Sequence, residues 1–306
     1  MFTLKEVMPE DKTLLQSYLR QIPSYLTEHS FTTLLAWQKS FQFLFGQWED
    51  FLLIRNTHRG VTSFFPPFPR AGRASKESYR AALEEILAYC REEGLPCVLS
   101  EVGERELPLI EAAMPGAFAV RKDRNNANYI YRVEDLIRLE GKKYHSKRNH
   151  LNSFKRNYPF YEYRALTPDL IPACRESMER WEWDNPATDR ETVKEEAEAM
   201  EVLFGRMEEL GLKGACILLG DKVEAFTIGE AMSEEMVSII IEKANTSCKG
   251  SYAAINQMFL AAEWREYPYV NRAEDMGLAN LRRAKMDYQP CWLAMKYILE
   301  YRNGTH

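Results

Sequence analysis

Residues 236–256, MVSIIIEKANTSCKGSYAAIN, gather most of the groups in this chain that can do chemistry. Met236 to Ile241 is a short run rich in β-branched residues, suited to a buried strand. Glu242 and Lys243 put charge at its C-terminal end. The next residues, Ala244 to Lys249, carry loop formers. Gly250 and Ser251 then open a helix in which Ala254, Ile255, Met258, Phe259 and Ala262 recur at steps of three and four. A strand that feeds a helix N-terminus through small residues offers backbone N–H groups and the positive end of the helix dipole, so a phosphate-bearing group fits there.

A second chemical signal is the acid-free run 141–158, GKKYHSKRNHLNSFKRNY. Three readings stay open. It is a solvated helix face, or a grip on donor phosphates such as the 3'-end of a tRNA through Lys142, Lys143, Lys147 and Arg148, or a surface for an acidic partner. Tyr144 and the histidines can stack on exposed bases. His145 and His150 are five apart with no acidic partner nearby, so no metal site is expected. There is no GxSxG motif, and Cys248 has no evident histidine partner. No side-chain nucleophile for a covalent intermediate is therefore evident.

The elements that must hold these groups read as two α+β halves. At 306 residues the chain suits two domains of about 150 each. The expected division is 1–133, a basic helical connector over 134–159, and 160–306. In the first half Ser30 and Ser75 are helix N-caps, and Gly94 stops the helix that Ser75 begins. In the second half helices over 170–183 and 191–210 are divided by Asn185-Pro186, and Gly220-Asp221 turns a hairpin. Both halves follow the same order of strands and helices. The net charge of -5 argues against a global attraction to nucleic acid or membrane. Six scattered cysteines form no CxxC pair and fit reduced thiols. No signal peptide and no long apolar run is present, so a cytoplasmic protein without a membrane span is expected.

The order of elements resembles the GNAT (acyl-CoA N-acyltransferase) fold, twice. The stretches KKYHSKRNHLNSFKRNYP, AFTIGE, IEKAN, GSYAAIN and VNRAEDMGLANLRRAK resemble bacterial proteins related to the C-terminal domain of phosphatidylglycerol lysyltransferases. Tandem GNAT halves also occur in Fem-type aminoacyltransferases. The resemblance implies an α/β (α+β) protein of two tandem GNAT-like domains, each a mixed, mostly antiparallel sheet flanked by helices. It implies direct transfer of an acyl or aminoacyl group from a bound thioester or aminoacyl ester, acyl-CoA or aminoacyl-tRNA, with no metal, to a small-molecule, peptide or lipid-headgroup amine or hydroxyl, helped by positioning and by backbone donors to the carbonyl oxygen. A catalytically silent module that binds a small ligand or RNA is the alternative.

The resemblance also assigns residues. Aligned on the GNAT donor loop, Asn245, Cys248, Lys249, Gly250 and Ser251 hold the donor, and PPFPRAGR in the first half holds none. Glu242 stands where the donor strand splays from its neighbour and can accept a proton, or is a strand-end charge paired with Lys243 or Arg282. Glu230, ending the adjacent strand, is its rival. Tyr288 can protonate a leaving group, or packs beside Pro290. Asn271 can bond an acyl carbonyl at a strand end, and Asp275 is expected to cap the next helix.

Overall fold

In a computed structural model describing residues 2–20, 24–184 and 189–302, the chain forms two compact units. One consists of Met1–Asn128 with Ala294–His306, the other of Tyr129–Leu293. Compactness thus divides the chain differently from the expected 1–133, 134–159 and 160–306. The basic run folds inside the second unit, and the last residues return to the first.

Up to residue 128 the chain forms β1 (Lys5–Glu6), α1 (Lys12–Leu19), α2 (Phe31–Ala36), α3 (Gln38–Phe41), β2 (Leu44–Trp48), β3 (Phe51–His58), β4 (Val61–Phe64), β5 (Phe68–Pro69), α4 (Lys76–Glu92), β6 (Val98–Gly103), α5 (Glu106–Ala113) and most of β7 (Phe118–Arg132). The caps are those the sequence predicts. Ser30 Oγ accepts the Thr33 N–H at 3.0 Å, and Ser75 Oγ accepts the Ser78 N–H at 3.0 Å. After α4, Gly94 takes the left-handed φ of 66° that ends a helix cheaply.

The second unit holds α6 (Val133–Arg138), α7 (His145–Asn157), β8 (Glu162–Ala165), α8 (Ile171–Asp184), α9 (Arg190–Gly205), α10 (Met207–Leu210), β9 (Lys213–Leu219), β10 (Lys222–Ala231), β11 (Met236–Ala244), α11 (Ser251–Glu263), β12 (Tyr269–Asn271) and α12 (Ala279–Met286). The last strand, β13 (Trp292–Tyr301), passes back to the first unit. Asn185-Pro186, the expected break between helices, lies outside the described residues.

In the first unit the strand order is β1-β2-β3-β4-β6-β13, with β5 beside β3. Its core packs Tyr79, Leu83, Ile86 and Cys90 of α4 on Phe51, Leu53, Leu99 and Leu299. In the second unit the end of β7 pairs with β12, followed by β11, β10, β9 and β8. Leu219 pairs with Lys222 around Gly220 at φ 60°, the two-residue hairpin the sequence predicts. Of the expected apolar stripe of α11, Ala254, Ile255 and Phe259 are buried and pack with Val237 and Ile239, Met258 is half-buried against them and Ala262 is exposed, while Leu260, outside that stripe, is buried.

Two irregularities mark this second sheet. First, β11 and β12 run parallel but pair only from Met236–Ser238 to Tyr269–Asn271, after which β11 continues beside β10 without β12. Second, Ile228 pairs with Ile241 and Gly229 with Ile239, so Ile240 is bulged out of register. The bulge inverts the alternation of side chains beyond it. Glu242, opposite Thr227, therefore shares the α11 face with Gly229, where an added Cβ would lie 3.3 Å from Phe259.

Candidate active site

Where β11 and β12 part, a buried ion pair spans the gap. Arg272, the residue after β12, donates from Nη2 to Glu242 Oε1 at 2.6 Å, and both side chains are 11% exposed. Asn256 of α11 donates from Nδ2 to Glu242 Oε2 at 3.0 Å. Both carboxylate oxygens are thus engaged. Two neighbouring polar atoms are not: Arg272 Nη1 and Asn256 Oδ1 are buried and make no hydrogen bond among the described residues. A buried donor and a buried acceptor left unpaired beside one carboxylate are costly unless something else satisfies them.

Aromatic rings and further cations enclose this pair. The Arg272 guanidinium lies 4.8 Å from the Tyr288 ring centre and 5.8 Å from that of Tyr131. Lys147 of α7 lies 4.3 Å from the Tyr288 ring and 3.7 Å from Asp287. Lys285 donates from Nζ to the Arg272 carbonyl. Tyr131 donates its hydroxyl to the Lys285 carbonyl at 2.9 Å.

Crowding tunes the acidities. Burial, reinforced by the Arg272 charge, lowers Lys285 to about 8. Burial likewise lowers Lys147. Burial pushes Tyr288 up to about 12 against the pull of Arg272, so it keeps its proton at neutral pH. Burial opposes the Arg272 charge, but Glu242, Tyr288 and Tyr131 outweigh it and hold the guanidinium protonated. The site thus pairs an amine that exchanges its proton near neutrality with a phenol that does not.

A linkage follows for Lys285. Its folded pKa lies below the ordinary value of 10.5, so between pH 8 and 10.5 the unfolded chain binds more protons. Stability is expected to rise with pH across that window, and Lys285→Met to flatten the rise. Urea unfolding at a series of pH values checks this.

The segment beyond β12 is held by its own network. Asp275 is fully buried. It takes Arg282 Nη2 at 2.8 Å and Nε at 2.9 Å, the Gly277 N–H at 2.8 Å, and the Tyr129 hydroxyl. It does not cap α12, whose N-cap is Leu278 without a side-chain bond. The carboxylate is instead consumed by Arg282, the residue expected as a partner of Glu242. Asn271 Oδ1 accepts the Ala273 N–H at 2.7 Å and shapes the turn that aims Arg272.

Residues 19–300 match the protein family described as phosphatidylglycerol lysyltransferase, C-terminal. The chain belongs to that family. A conserved protein of unknown function from Bacteroides thetaiotaomicron is similar in structure. It is 30% identical, with 99% of this chain and 100% of that one covered, at a TM-score of 0.91. L-PGS from Bacillus licheniformis is 16% identical, with 98% and 94% covered, at 0.66. A tandem GNAT protein from the clavulanic acid biosynthesis pathway is 8% identical, with 99% of each chain covered, at 0.55. The last two show the fold, two GNAT-like units in tandem. An uncharacterised protein of Mycoplasmoides gallisepticum is 22% identical over 178 residues, 58% of this chain. The match spans 56% of that relative's length. Family and fold together suggest a GNAT-like, lysyltransferase-like transferase.

Within this lysyltransferase-family fold the expected site residues fall into separate places. Glu242 and Tyr288 meet around Arg272. Glu230, expected as the rival of Glu242, pairs across from Ser238 on the far side of the bulge. Its alternation with Phe226, which meets Phe204 of α9, turns it to the opposite face of the sheet. Asn245 donates to Glu224 Oε2 at 2.7 Å.

The expected donor loop packs on α7. The Lys249 N–H and the Cys248 thiol face the Tyr158 hydroxyl, and the Ser251 N–H returns to the Cys248 carbonyl at 3.0 Å. Gly250 sits at φ 91° with no room for a Cβ against the His150 carbonyl. The Ser251 N–H is thus spent inside the chain.

The basic run is also partly spent. Arg148 Nη1 donates to the Leu139 and Gly141 carbonyls, and Lys147 is buried against Tyr288. Lys143 is exposed and lies 3.7 Å from Asp135, while Lys142 is exposed. Sequence reasoning missed Arg272, Asn256 and Lys285 as members of one site. Among the described residues no group of three His, Cys, Asp or Glu could hold a metal ion, and no helix is long and apolar enough to cross a membrane.

Proposed function

We propose that this protein transfers an aminoacyl group, by direct attack, from an activated ester such as an aminoacyl-tRNA to a hydroxyl or amine acceptor. The family's description makes a lipid headgroup the first acceptor to try. One observation carries the reading: the unpaired donor Arg272 Nη1 and the unpaired acceptor Asn256 Oδ1 flank Glu242. An aminoacyl group offers a carbonyl oxygen to the first and an α-ammonium to the second and to the carboxylate. A plain acyl group leaves Asn256 Oδ1 unsatisfied. The engaged N–H of Ser251 also weighs against a CoA pyrophosphate at that loop.

The steps follow from the acidities. The acceptor oxygen or nitrogen adds to the ester carbonyl carbon, and its proton passes to the neutral amine of Lys285. Arg272 faces the carbonyl oxygen as it gains charge. The ester C–O bond then breaks, and the departing alkoxide takes the proton of Tyr288. The Lys285 ammonium restores that proton and closes the cycle. Glu242 orients Arg272 and holds the α-ammonium rather than acting as the base, because both its oxygens are already engaged. The exposed Lys142 and Lys143 are left for donor phosphates.

The test compares two small esters by thermal stabilisation of the protein: lysine methyl ester, and 6-aminohexanoic acid methyl ester, which lacks the α-amino group. The first is expected to bind more tightly by a factor of about 10 or more, since a hydrogen bond to a charged group is worth about 1.5–3 kcal/mol. Asn256→Leu should erase the difference. Equal stabilisation by both esters, or stabilisation by acetyl-CoA alone, would overturn the reading.

A further inference from the structure

Two of the cysteines share one place in the core of the first unit. Cys90 lies in the last turn of α4 and is buried. Cys97 immediately precedes β6 and is partly exposed. The turn between them doubles the chain back on itself. Gly94 is left-handed there, and the Leu95 N–H donates to the Cys90 carbonyl at 2.8 Å. The Cys97 carbonyl accepts the Tyr301 N–H at 3.0 Å, which pins that cysteine to the end of β13. Both backbones are thus held, and the two thiols face each other within hydrogen-bond reach.

A cation stands by. Arg55 of β3 donates from Nη1 to the Tyr89 hydroxyl at 2.7 Å, whereas its Nε is buried and makes no hydrogen bond among the described residues. A buried guanidinium N–H without an acceptor is costly. A thiolate on Cys90 is an acceptor, and the Arg55 charge already favours it.

The two thiols differ accordingly. The hydrogen bond from Cys97 lowers Cys90 against the effect of burial, and the Arg55 charge helps. The same bond, reinforced by burial, raises Cys97, so the shared proton stays there. Buried thiols without such a neighbour go the other way: burial pushes Cys174 up to about 12 and Cys216 up to about 11. A thiolate beside a second, proton-bearing thiol is the arrangement in which one sulfur attacks a peroxide and the other resolves the product.

We infer that Cys90 and Cys97 form a reversible dithiol that a hydroperoxide oxidises to a disulfide within the first unit. The Cys90 thiolate attacks one peroxide oxygen. The O–O bond breaks, Cys90 becomes a sulfenic acid, and the departing oxygen takes up the proton that Cys90 had released. The Cys97 sulfur then attacks the sulfenic sulfur. The S–S bond forms, and the sulfenic hydroxyl leaves with the Cys97 proton as water. Two thiols are oxidised and one hydroperoxide is reduced to an alcohol, or a second water, plus that water. The bridge ties the end of α4 to the start of β6, and it is independent of which group the second unit transfers.

Mass measurement of the full chain after brief treatment with hydrogen peroxide tests this. A loss of about 2 Da is expected, with one peptide pair joined through Cys90 and Cys97, reversed by dithiothreitol. Thiols counted in denaturant should fall from six to about four. Cys97→Ser should stop at the sulfenic acid, which dimedone traps on Cys90. Cys90→Ser should give neither the bridge nor a dimedone adduct on Cys97. In Arg55→Met the pH at which bridging reaches half its maximal rate should move upward.

Oxygen added at the exposed Cys291 before any bridge, a bridge between other cysteines or between two copies of the chain, or no loss of mass would overturn the inference. So would an unchanged pH profile in Arg55→Met. Circular dichroism of each sample should stay the same on oxidation; a collapsed signal would place the bridge in an unfolded chain and count equally against it.

Discussion

Arg272→Ala is expected to abolish transfer and to cost stability at the same time. The substitution leaves Glu242 as a buried carboxylate whose one remaining side-chain donor among the described residues is Asn256. Breaking a buried pair from one side costs about 3–5 kcal/mol, because the surviving charge has no cation and little water. Loss of the group facing the developing oxyanion should lower turnover by a factor of about 10² to 10³. The two effects separate in the double variant Arg272→Ala with Glu242→Gln. Removing the orphaned charge should restore much of the stability and none of the transfer. Urea unfolding and a transfer assay read the two quantities independently. If the double variant regained transfer, Arg272 would be only a counter-ion, and the site would need a different oxyanion donor.

Gly250→Ala should be the most damaging single methyl in the second unit. Gly250 holds φ at 91°, where an L side chain is strained, and its Cβ would overlap the backbone carbonyl of His150 and lie 3.0 Å from Phe154 Cβ. A backbone atom cannot swing aside as a flexible side chain can. Strain and overlap together should cost about 3 kcal/mol, and α11 would have to lift from α7. Gly116, at φ 69° with nothing within 4 Å of an added Cβ, is the matched control; Gly116→Ala should cost only about 1 kcal/mol. Thermal unfolding of the two variants side by side decides the matter. Equal losses would mean that the close approach of α11 to α7 relaxes freely.

Much of this architecture is legible in residue types. A β-branched run with steps of three and four behind it is enough to place β11 and α11. Serine followed by a helical stripe is enough to place α4. The site is less legible, for reasons that can be named. Glu242 stands at a strand end and attracts notice, but the face it uses depends on the bulge at Ile240, which no residue type announces. Without the bulge, Glu230 and Glu242 read as equals; with it, they lie on opposite faces.

Lys147 and Arg148 read as part of a solvated or phosphate-binding run. Which lysine on a helix is buried depends on what packs there, in this case Tyr288. Lys285 looks like one more surface cation until the fold shows that burial and Arg272 lower its proton affinity. Of the long β7 only the end, Tyr129 to Val133, reads as a strand, because residues 121–126 are polar and carry no strand periodicity.

The path of β13 makes the first unit discontinuous along the chain. β13 pairs Leu299 with Leu99 and Lys296 with Gly103, so the edge of β6 is covered by residues that follow the whole of the second unit, Tyr129–Leu293. During synthesis Val98–Gly103 therefore stays unpaired on that side while the second unit is made. That edge is where a nascent or truncated chain would meet another copy of itself. The first unit cannot complete its sheet before the second unit has left the ribosome.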